Sequence, residues 1–237
     1  MELPPRLLHY MELPPGLLHF MELNILFSIG NNHLIISKRE FFYKEDGYMP
    51  SKFRVWYPKA TYHIITRGNN KQKIFNEEID YNVYLNLVNN TLQYYKEENY
   101  EVLSYCLMPN HVHLLIKTDT KAISFFMRRL NSMYAIYFNN KYNNVGHLFQ
   151  DKFYDNLITN DIEMLVVSRY IHLNPVKAKM VEAPEEYKWS SYKEILKNGK
   201  CKFSSSELIL DCLMIYRSLK KENIINEYKR YTEENYQ

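Results

Sequence analysis

Two histidines separated by one residue, His111 and His113, point most directly to chemistry in this chain. They lie in the segment MPNHVHLLI, whose aliphatic residues predict a β-strand. Successive side chains of a strand point to opposite faces, so both imidazoles would share one face while Val112 and Leu114 share the other. Such a pair alone is more often two histidines satisfied within the fold. With a third ligand nearby, it would supply half of a metal site.

A second motif, Tyr170-Ile171-His172-Leu173-Asn174-Pro175, could complete that site. Residues four apart share a helix face, so Tyr170 and Asn174 would project together, although Asn174 precedes a proline. A bound divalent cation would polarise a phosphodiester, and a phenol would attack it to leave a phosphotyrosine that conserves the ester energy. Tyr134 and Tyr137 are the rival nucleophiles.

The order of the elements indicates the fold that must position these residues. Patterns of hydrophobic residues predict strands over 60–67, 100–108, 111–117 and 153–158, and helices over 77–98, 122–138 and 161–173. Asn160 and Glu163 form a capping-box signal, and Pro175 is expected to stop the last helix. The order β-α-β-β-α-β-α predicts an α+β, ferredoxin-like split βαβ fold. Its antiparallel sheet would carry helices on one face and a trailing helix with the tyrosine.

Three regions are expected along the chain. Residues 1–48 form an extension that opens on the duplicated decapeptide MELPPRLLHY-MELPPGLLHF, which is typical of a translated DNA repeat. Two units of ten residues are too short and too few for a repeat fold, so we expect this extension to be disordered or foreign to the native protein. Residues 49–195 form the catalytic domain, and residues 196–237 form a helical tail.

Composition limits the classes of function. The net charge is only +3, so any nucleic-acid surface must be local rather than general. The three cysteines show no CxxC spacing, which is typical of a reducing compartment. No apolar stretch reaches 18 residues, so a membrane partner is not expected. These features predict a cytoplasmic location.

The motifs together resemble one family. HVH after MPN, then YIHLNPVKAKMV and WSSY, are similar to the REP-associated tyrosine transposases, which are single-tyrosine HUH (IS200-like) enzymes. The segments RGNNKQKIF and FNNKYNNVGHLFQDKF extend the likeness, which runs from about residue 52 to residue 192. HxH alone is a weak signal, whereas HxH, YIHLNP and WSSY in this order are a strong one.

The resemblance implies a metal-dependent endonuclease and strand transferase that acts on single-stranded DNA with hairpin-forming ends. It implies that Tyr170 is the nucleophile, that His111 and His113 are metal ligands, that Asn174 is a third ligand, and that the metal is Mg²⁺ or Mn²⁺. Related enzymes supply the tyrosine from the same subunit or from a partner, so a homodimer stays open. The alternative is a non-catalytic module that binds single-stranded nucleic acid on a ferredoxin-like sheet, although no RNP1 pattern is present.

Several cations are candidates for contact with DNA phosphates, and neighbouring aromatic residues could stack on bases. They are Arg67, Lys71, Lys73, Arg128, Arg129, Lys141 and Lys152. Taken singly, each cation is more often a solvated surface charge. We expect His63 and His172 to be structural or peripheral.

Overall fold

The computed structural model describes residues 27–29, 32–34, 56–203 and 206–234. The chain divides into two compact units, 1–54 and 55–237. In the first unit, strands β1 (Phe27–Ile29) and β2 (Asn32–Leu34) pair as an antiparallel hairpin. The decapeptide repeat lies outside the described residues, so the expectations for the N-terminal extension stay predictions.

The second unit is built on one antiparallel sheet. Its strands are β3 (Thr61–Arg67), β4 (Glu101–Met108), β5 (His111–Lys117) and β6 (Tyr154–Ile158). They lie in the order β4-β5-β3-β6, and every neighbouring pair is antiparallel. β3 and β5, which lie next to each other in space, are thus separated in sequence by β4. This order is that of a ferredoxin-like sheet.

Helices connect and cover these strands. They are α1 (Glu78–Tyr94), α2 (Ile123–Tyr142), α3 (Asp161–Lys177), α4 (Tyr192–Asn198), α5 (Glu207–Arg217) and α6 (Ile224–Glu233). α1 joins β3 to β4 and α2 joins β5 to β6, which confirms the predicted α+β fold with its split βαβ order. Among the described residues, no helix has both the length and the apolar character needed to cross a bilayer.

The two faces of the sheet carry different helices. On one face, Asn131 of α2 donates a hydrogen bond to Thr66 of β3, at 3.4 Å. Alternation along the strand therefore turns His63 to the opposite face. There the rings of His63 and Tyr170 lie in contact, with centroids 5.9 Å apart, so α3 covers this second face. The tyrosine helix and the histidines consequently meet on the face away from α1 and α2.

Helix α3 begins where the capping signal predicted but ends later than expected. The Asn160 side chain accepts a hydrogen bond from the Glu163 backbone N–H at 2.9 Å, which confirms the predicted cap. The predicted end near Leu173 was wrong, because the helix continues through Pro175 to Lys177. Proline lacks an N–H and so removes one backbone hydrogen bond of the helix, but Pro175 is buried. The helical hydrogen bonds resume at Ala178, whose N–H donates to the Asn174 carbonyl at 2.9 Å.

The C-terminal helices pack against α3. His172 on α3 is fully buried, and its two ring nitrogens contact Ser191 at 3.0 Å and the hydroxyl of Tyr228 on α6 at 2.9 Å. The Arg169 guanidinium also donates to the Thr232 carbonyl at 3.0 Å. His172 is therefore structural, as predicted, and the helical tail packs on the helix that carries Tyr170.

Candidate active site

The histidine pair lies on β5 with both rings on the α3 face. The two ring centroids are 4.9 Å apart and the ring planes are nearly perpendicular, at 82°. Burial and the positive charge of Arg67 lower the pKa of His111 to about 4. Burial, followed by the charges of its neighbours, holds the pKa of His113 well below its usual range. Both imidazoles are therefore neutral near pH 7, which is the form that ligates metals.

Each of these imidazoles is engaged through Nδ1. His111 Nδ1 lies 2.6 Å from the amide oxygen of Asn110, whose amide nitrogen donates to the Lys71 carbonyl at 3.3 Å. His113 Nδ1 lies 3.0 Å from Nε2 of His63. His113 Nε2 is buried and has no hydrogen-bond partner among the described residues. The geometry thus leaves Nε2 as the ring nitrogen of each histidine that is available to a metal.

Tyr170 lies beside this pair. Its ring stands edge-on to that of His113, with a centroid distance of 5.5 Å and an interplanar angle of 87°. On α3, seven residues further along, Lys177 places its ammonium 4.9 Å from the centre of the Tyr170 ring. Burial and the nearby Arg169 lower the pKa of Lys177. A phenol, a cation and two imidazoles therefore converge in one site.

Asn174 lies one helical turn after Tyr170 on α3 and is linked to it. Its amide nitrogen donates to the Tyr170 carbonyl at 2.8 Å, which leaves the amide oxygen as the part of the side chain able to bind a cation. In the described part of the chain, no group of three His, Cys, Asp or Glu residues could hold a metal. The candidate donors are therefore the Nε2 atoms of His111 and His113 and the amide oxygen of Asn174. The buried Nε2 of His113, which has no partner among the described residues, suits a neutral nitrogen ligand of a divalent ion such as Mn²⁺.

Comparison with known proteins identifies the family. The family model described as "Transposase IS200 like" matches residues 57–174, about half of the chain, and this range includes both histidines, Tyr170 and Asn174. The chain belongs to the IS200-like transposase family.

Two known proteins are similar to this IS200-like transposase family member. A Haemophilus influenzae protein assigned to the REP-associated tyrosine transposases is 30% identical over 105 residues, and the match covers 39% of this chain and 59% of that protein. The chain thus spans about three-fifths of that relative's length. A solved REP-associated tyrosine transposase bound to a REP hairpin matches with a TM-score of 0.54 at 16% identity, over 64% of this chain and 88% of that one. This structural likeness shows the fold.

The rival tyrosines of this family member are held elsewhere. Tyr134 and Tyr137 both lie on α2, which covers the opposite face of the sheet. The Tyr134 hydroxyl donates to the Ile74 carbonyl, and that of Tyr137 donates to Asp80 at 2.8 Å. Neither phenol therefore shares a site with the histidines.

Four of the predicted DNA-binding cations lie near the site or on segments that lead to it. Arg67 is exposed and pairs directly opposite His111 in the sheet. The exposed Lys71 and Lys73 follow in the next loop, which Asn110 joins through the Lys71 carbonyl. Lys152 is exposed and lies two residues after Gln150. The Gln150 N–H donates to the Arg67 carbonyl at 2.9 Å, so this part of the chain lies beside the end of β3.

The other three cations lie on α2, across the sheet from Tyr170. The guanidinium of Arg128 lies 5.3 Å from the centre of the Phe125 ring, and that of Arg129 lies 3.7 Å from the centre of the Tyr94 ring. Lys141 is paired with Asp80 at 2.7 Å. The structure therefore divides the predicted phosphate track between two faces of the molecule.

Three residues of the site were not among the predicted site residues. His63, expected to be structural or peripheral, contacts both His113 and Tyr170. Asn110 holds His111, and Lys177 lies over Tyr170. The alternation of side chains along β3 could have indicated His63, because His63 and Arg67 lie on the same face of that strand. Arg67 pairs opposite His111, so His63 lies on the histidine face once β3 and β5 are known to be neighbours.

Proposed function

We propose that this chain is a metal-dependent endonuclease and strand transferase that cleaves and rejoins single-stranded DNA at hairpin-forming sequences through Tyr170. The observation that carries the proposal is the position of Tyr170 beside His113, whose buried Nε2 has no partner among the described residues. Metal-assisted phosphodiester transfer through a tyrosine requires a nucleophile close to nitrogen or oxygen atoms that can bind the metal.

The site residues have distinct roles in the proposed reaction. A Mg²⁺ or Mn²⁺ ion held by His111, His113 and Asn174 would polarise and position a phosphodiester oxygen. The Tyr170 hydroxyl gives its proton to water, and its oxygen forms a bond to phosphorus. The bond from phosphorus to one sugar oxygen breaks, and that oxygen takes a proton from water and leaves as a hydroxyl. A second hydroxyl then displaces the phenol, which rejoins DNA without ATP because the ester bond is conserved.

The surrounding charges suit a phosphate substrate. Lys177 holds its ammonium over the Tyr170 ring, and the exposed Arg67 borders His111. Both cations would attract a DNA backbone to the site and balance charge on the phosphoryl group. We infer hairpin DNA as the substrate class from the related transposase that was solved with a REP hairpin.

The site is formed within one chain, because the ring of Tyr170 already contacts that of His113. A homodimer is therefore not needed to complete the proposed site. The alternative, a nucleic-acid-binding module, would use an open sheet face. Here α1 and α2 cover one face of the sheet and α3 covers the other, and the strand interiors of β3, β4 and β5 are buried. This packing favours the enzyme.

The experiment is a search for a covalent adduct. Purified protein is incubated with an end-labelled hairpin oligonucleotide carrying single-stranded flanks and Mn²⁺, and the products are separated on a denaturing gel. We expect a protein–DNA adduct that requires the metal, disappears in Tyr170→Phe and persists in the control Tyr94→Phe, whose tyrosine is exposed on α1. Tight binding without metal, and no adduct with any hairpin, would support the binding module instead.

A further inference from the structure

A third histidine adjoins the proposed metal ligands without belonging to the ligand set. His63 is only 2% exposed, and its Nε2 lies 3.0 Å from Nδ1 of His113. The two rings are nearly parallel, with centroids 5.3 Å apart and an angle of 19° between the planes, as expected for rings joined edge to edge by this contact. The Nε2 atom of His63 faces His113, so it is not directed at a shared cation.

The contact can have two proton arrangements, and they have opposite consequences. If His63 donates, a neutral His113 carries its own proton on Nε2 and cannot ligate a metal through that atom. If His113 donates through Nδ1–H, its Nε2 presents a lone pair. In both arrangements the buried Nε2 of His113 lacks a partner among the described residues, which costs free energy. The second arrangement allows a bound cation to remove that cost.

The neighbouring histidine shows the same arrangement with less ambiguity. The amide nitrogen of Asn110 donates to the Lys71 carbonyl, so its oxygen faces His111 Nδ1. An amide oxygen only accepts hydrogen bonds, so His111 must carry its proton on Nδ1. Its Nε2 then has a lone pair. Each ligating nitrogen must be unprotonated, and the tautomer that leaves it so is commonly fixed by an acceptor behind the ring.

We propose that His63 is a positioning residue that accepts the Nδ1–H of His113 and thereby fixes the metal-binding tautomer and ring orientation of that ligand. The proposal rests on the metal site of the proposed function. His63 performs for His113 the task that Asn110 performs for His111.

The test compares two substitutions at this position. His63→Phe fills a similar volume without an acceptor, whereas His63→Gln restores an oxygen near the position of Nε2. We expect the Mn²⁺ dissociation constant to rise about 10- to 100-fold in His63→Phe and to recover most of that loss in His63→Gln. Tyr134→Phe is the matched control, because it removes a buried hydroxyl on the opposite face and should leave Mn²⁺ affinity unchanged.

A second readout needs no metal. Long-range ¹H–¹⁵N spectra of the metal-free protein report which ring nitrogen of His113 carries the proton. We expect the Nδ1–H tautomer in the wild type and in His63→Gln, and its loss in His63→Phe. An Nε2–H tautomer in the wild type, or wild-type Mn²⁺ affinity in a folded His63→Phe, would overturn the proposal. Failure of the wild type to bind Mn²⁺ would instead overturn the metal part of the proposed function, while the tautomer still decides the role of His63.

Discussion

The ring of Tyr170 stands edge-on to the ring of His113 at 5.5 Å, although the two residues lie on different elements, helix α3 and strand β5. The contact depends on α3 crossing the sheet face that α1 and α2 leave open. It depends also on the cap at Asn160 and on the buried links between α3 and the C-terminal helices. The proposed chemistry is therefore a property of the whole second unit.

Lys177 should affect the tyrosine without affecting the metal. Lys177→Gln removes the cation that lies 4.9 Å from the Tyr170 ring. We expect adduct formation to slow about tenfold, which corresponds to a loss of about 1.4 kcal/mol of charge stabilisation. Mn²⁺ affinity should be unchanged. Lys179→Gln is the matched control, since Lys179 is exposed near the same helix end. Equal effects of the two substitutions would remove the specific role of Lys177.

Arg67 and Arg128 should differ in their effect on DNA binding, although both are exposed arginines. Arg67 borders His111, whereas Arg128 lies on α2 across the sheet. Arg67→Ala should weaken hairpin DNA binding. It should also reduce the slope of log affinity against log salt concentration by about 1, the value for one lost phosphate contact. Arg128→Ala should change both quantities much less. Fluorescence anisotropy at several salt concentrations measures them, and the reverse ranking would place the DNA on the α2 face.

Asp80 should make folding stability depend on acid pH. Burial alone would raise the pKa of Asp80, but hydrogen bonds from Lys141, Tyr142 and two backbone N–H groups lower it to about 2. A carboxyl whose pKa falls on folding stabilises the native state above its unfolded pKa of about 4, and this contribution disappears as the pH falls towards 2. The contribution at neutral pH is about 2.5 kcal/mol.

Urea denaturation at several pH values measures this effect. Asp80→Asn should be less stable than the wild type at pH 7, and the difference should shrink between about pH 4 and pH 2. Glu78→Gln is the control, because its ion pair with Lys188 is largely exposed and should contribute little. A stability difference that does not change with pH would show that the charge of Asp80 is not the cause.

Tyr228 should couple the C-terminal helices to the tyrosine helix. Tyr228→Phe removes a hydroxyl that contacts both His172 and Ser168 in the interior. We expect a loss of about 1–3 kcal/mol in the free energy of unfolding, because a buried nitrogen loses its partner. The unfolding transition should remain single, while Tyr94→Phe should have little effect. A separate early transition would mean that α5 and α6 unfold independently of the catalytic helix.

The sequence predicted this fold well where the pattern is local. Alternation along β5 placed both histidines on one face, and the capping signal at Asn160 located the start of α3. The end of α3 was misjudged because proline propensity is a local rule, whereas burial of Pro175 is a tertiary effect. That error hid Lys177, which lies in the last turn.

The remaining residues of the site depend on relations between elements. His63 joins His113 only through the pairing of β3 with β5, which the chain order does not make adjacent. The sequence did not show that Arg128 and Arg129 lie across the sheet from Tyr170, because basic residues on a helix do not reveal which face of the sheet the helix covers. Their contact with DNA stays a prediction. The pairing of β3 with β5 and the sheet face that α2 covers are set by packing of the core. These contacts can therefore be identified only from the folded structure.

The most direct test of the central claim is to identify the residue that carries DNA after cleavage. The adduct formed with a hairpin oligonucleotide and Mn²⁺ is digested with nuclease and protease, and the modified peptide is sequenced by mass spectrometry. The account predicts one nucleotide-bearing peptide, from α3, with the phosphate linked to the oxygen of Tyr170. A nucleotide on Tyr134, Tyr137 or any other residue, with Tyr170 unmodified, would contradict it.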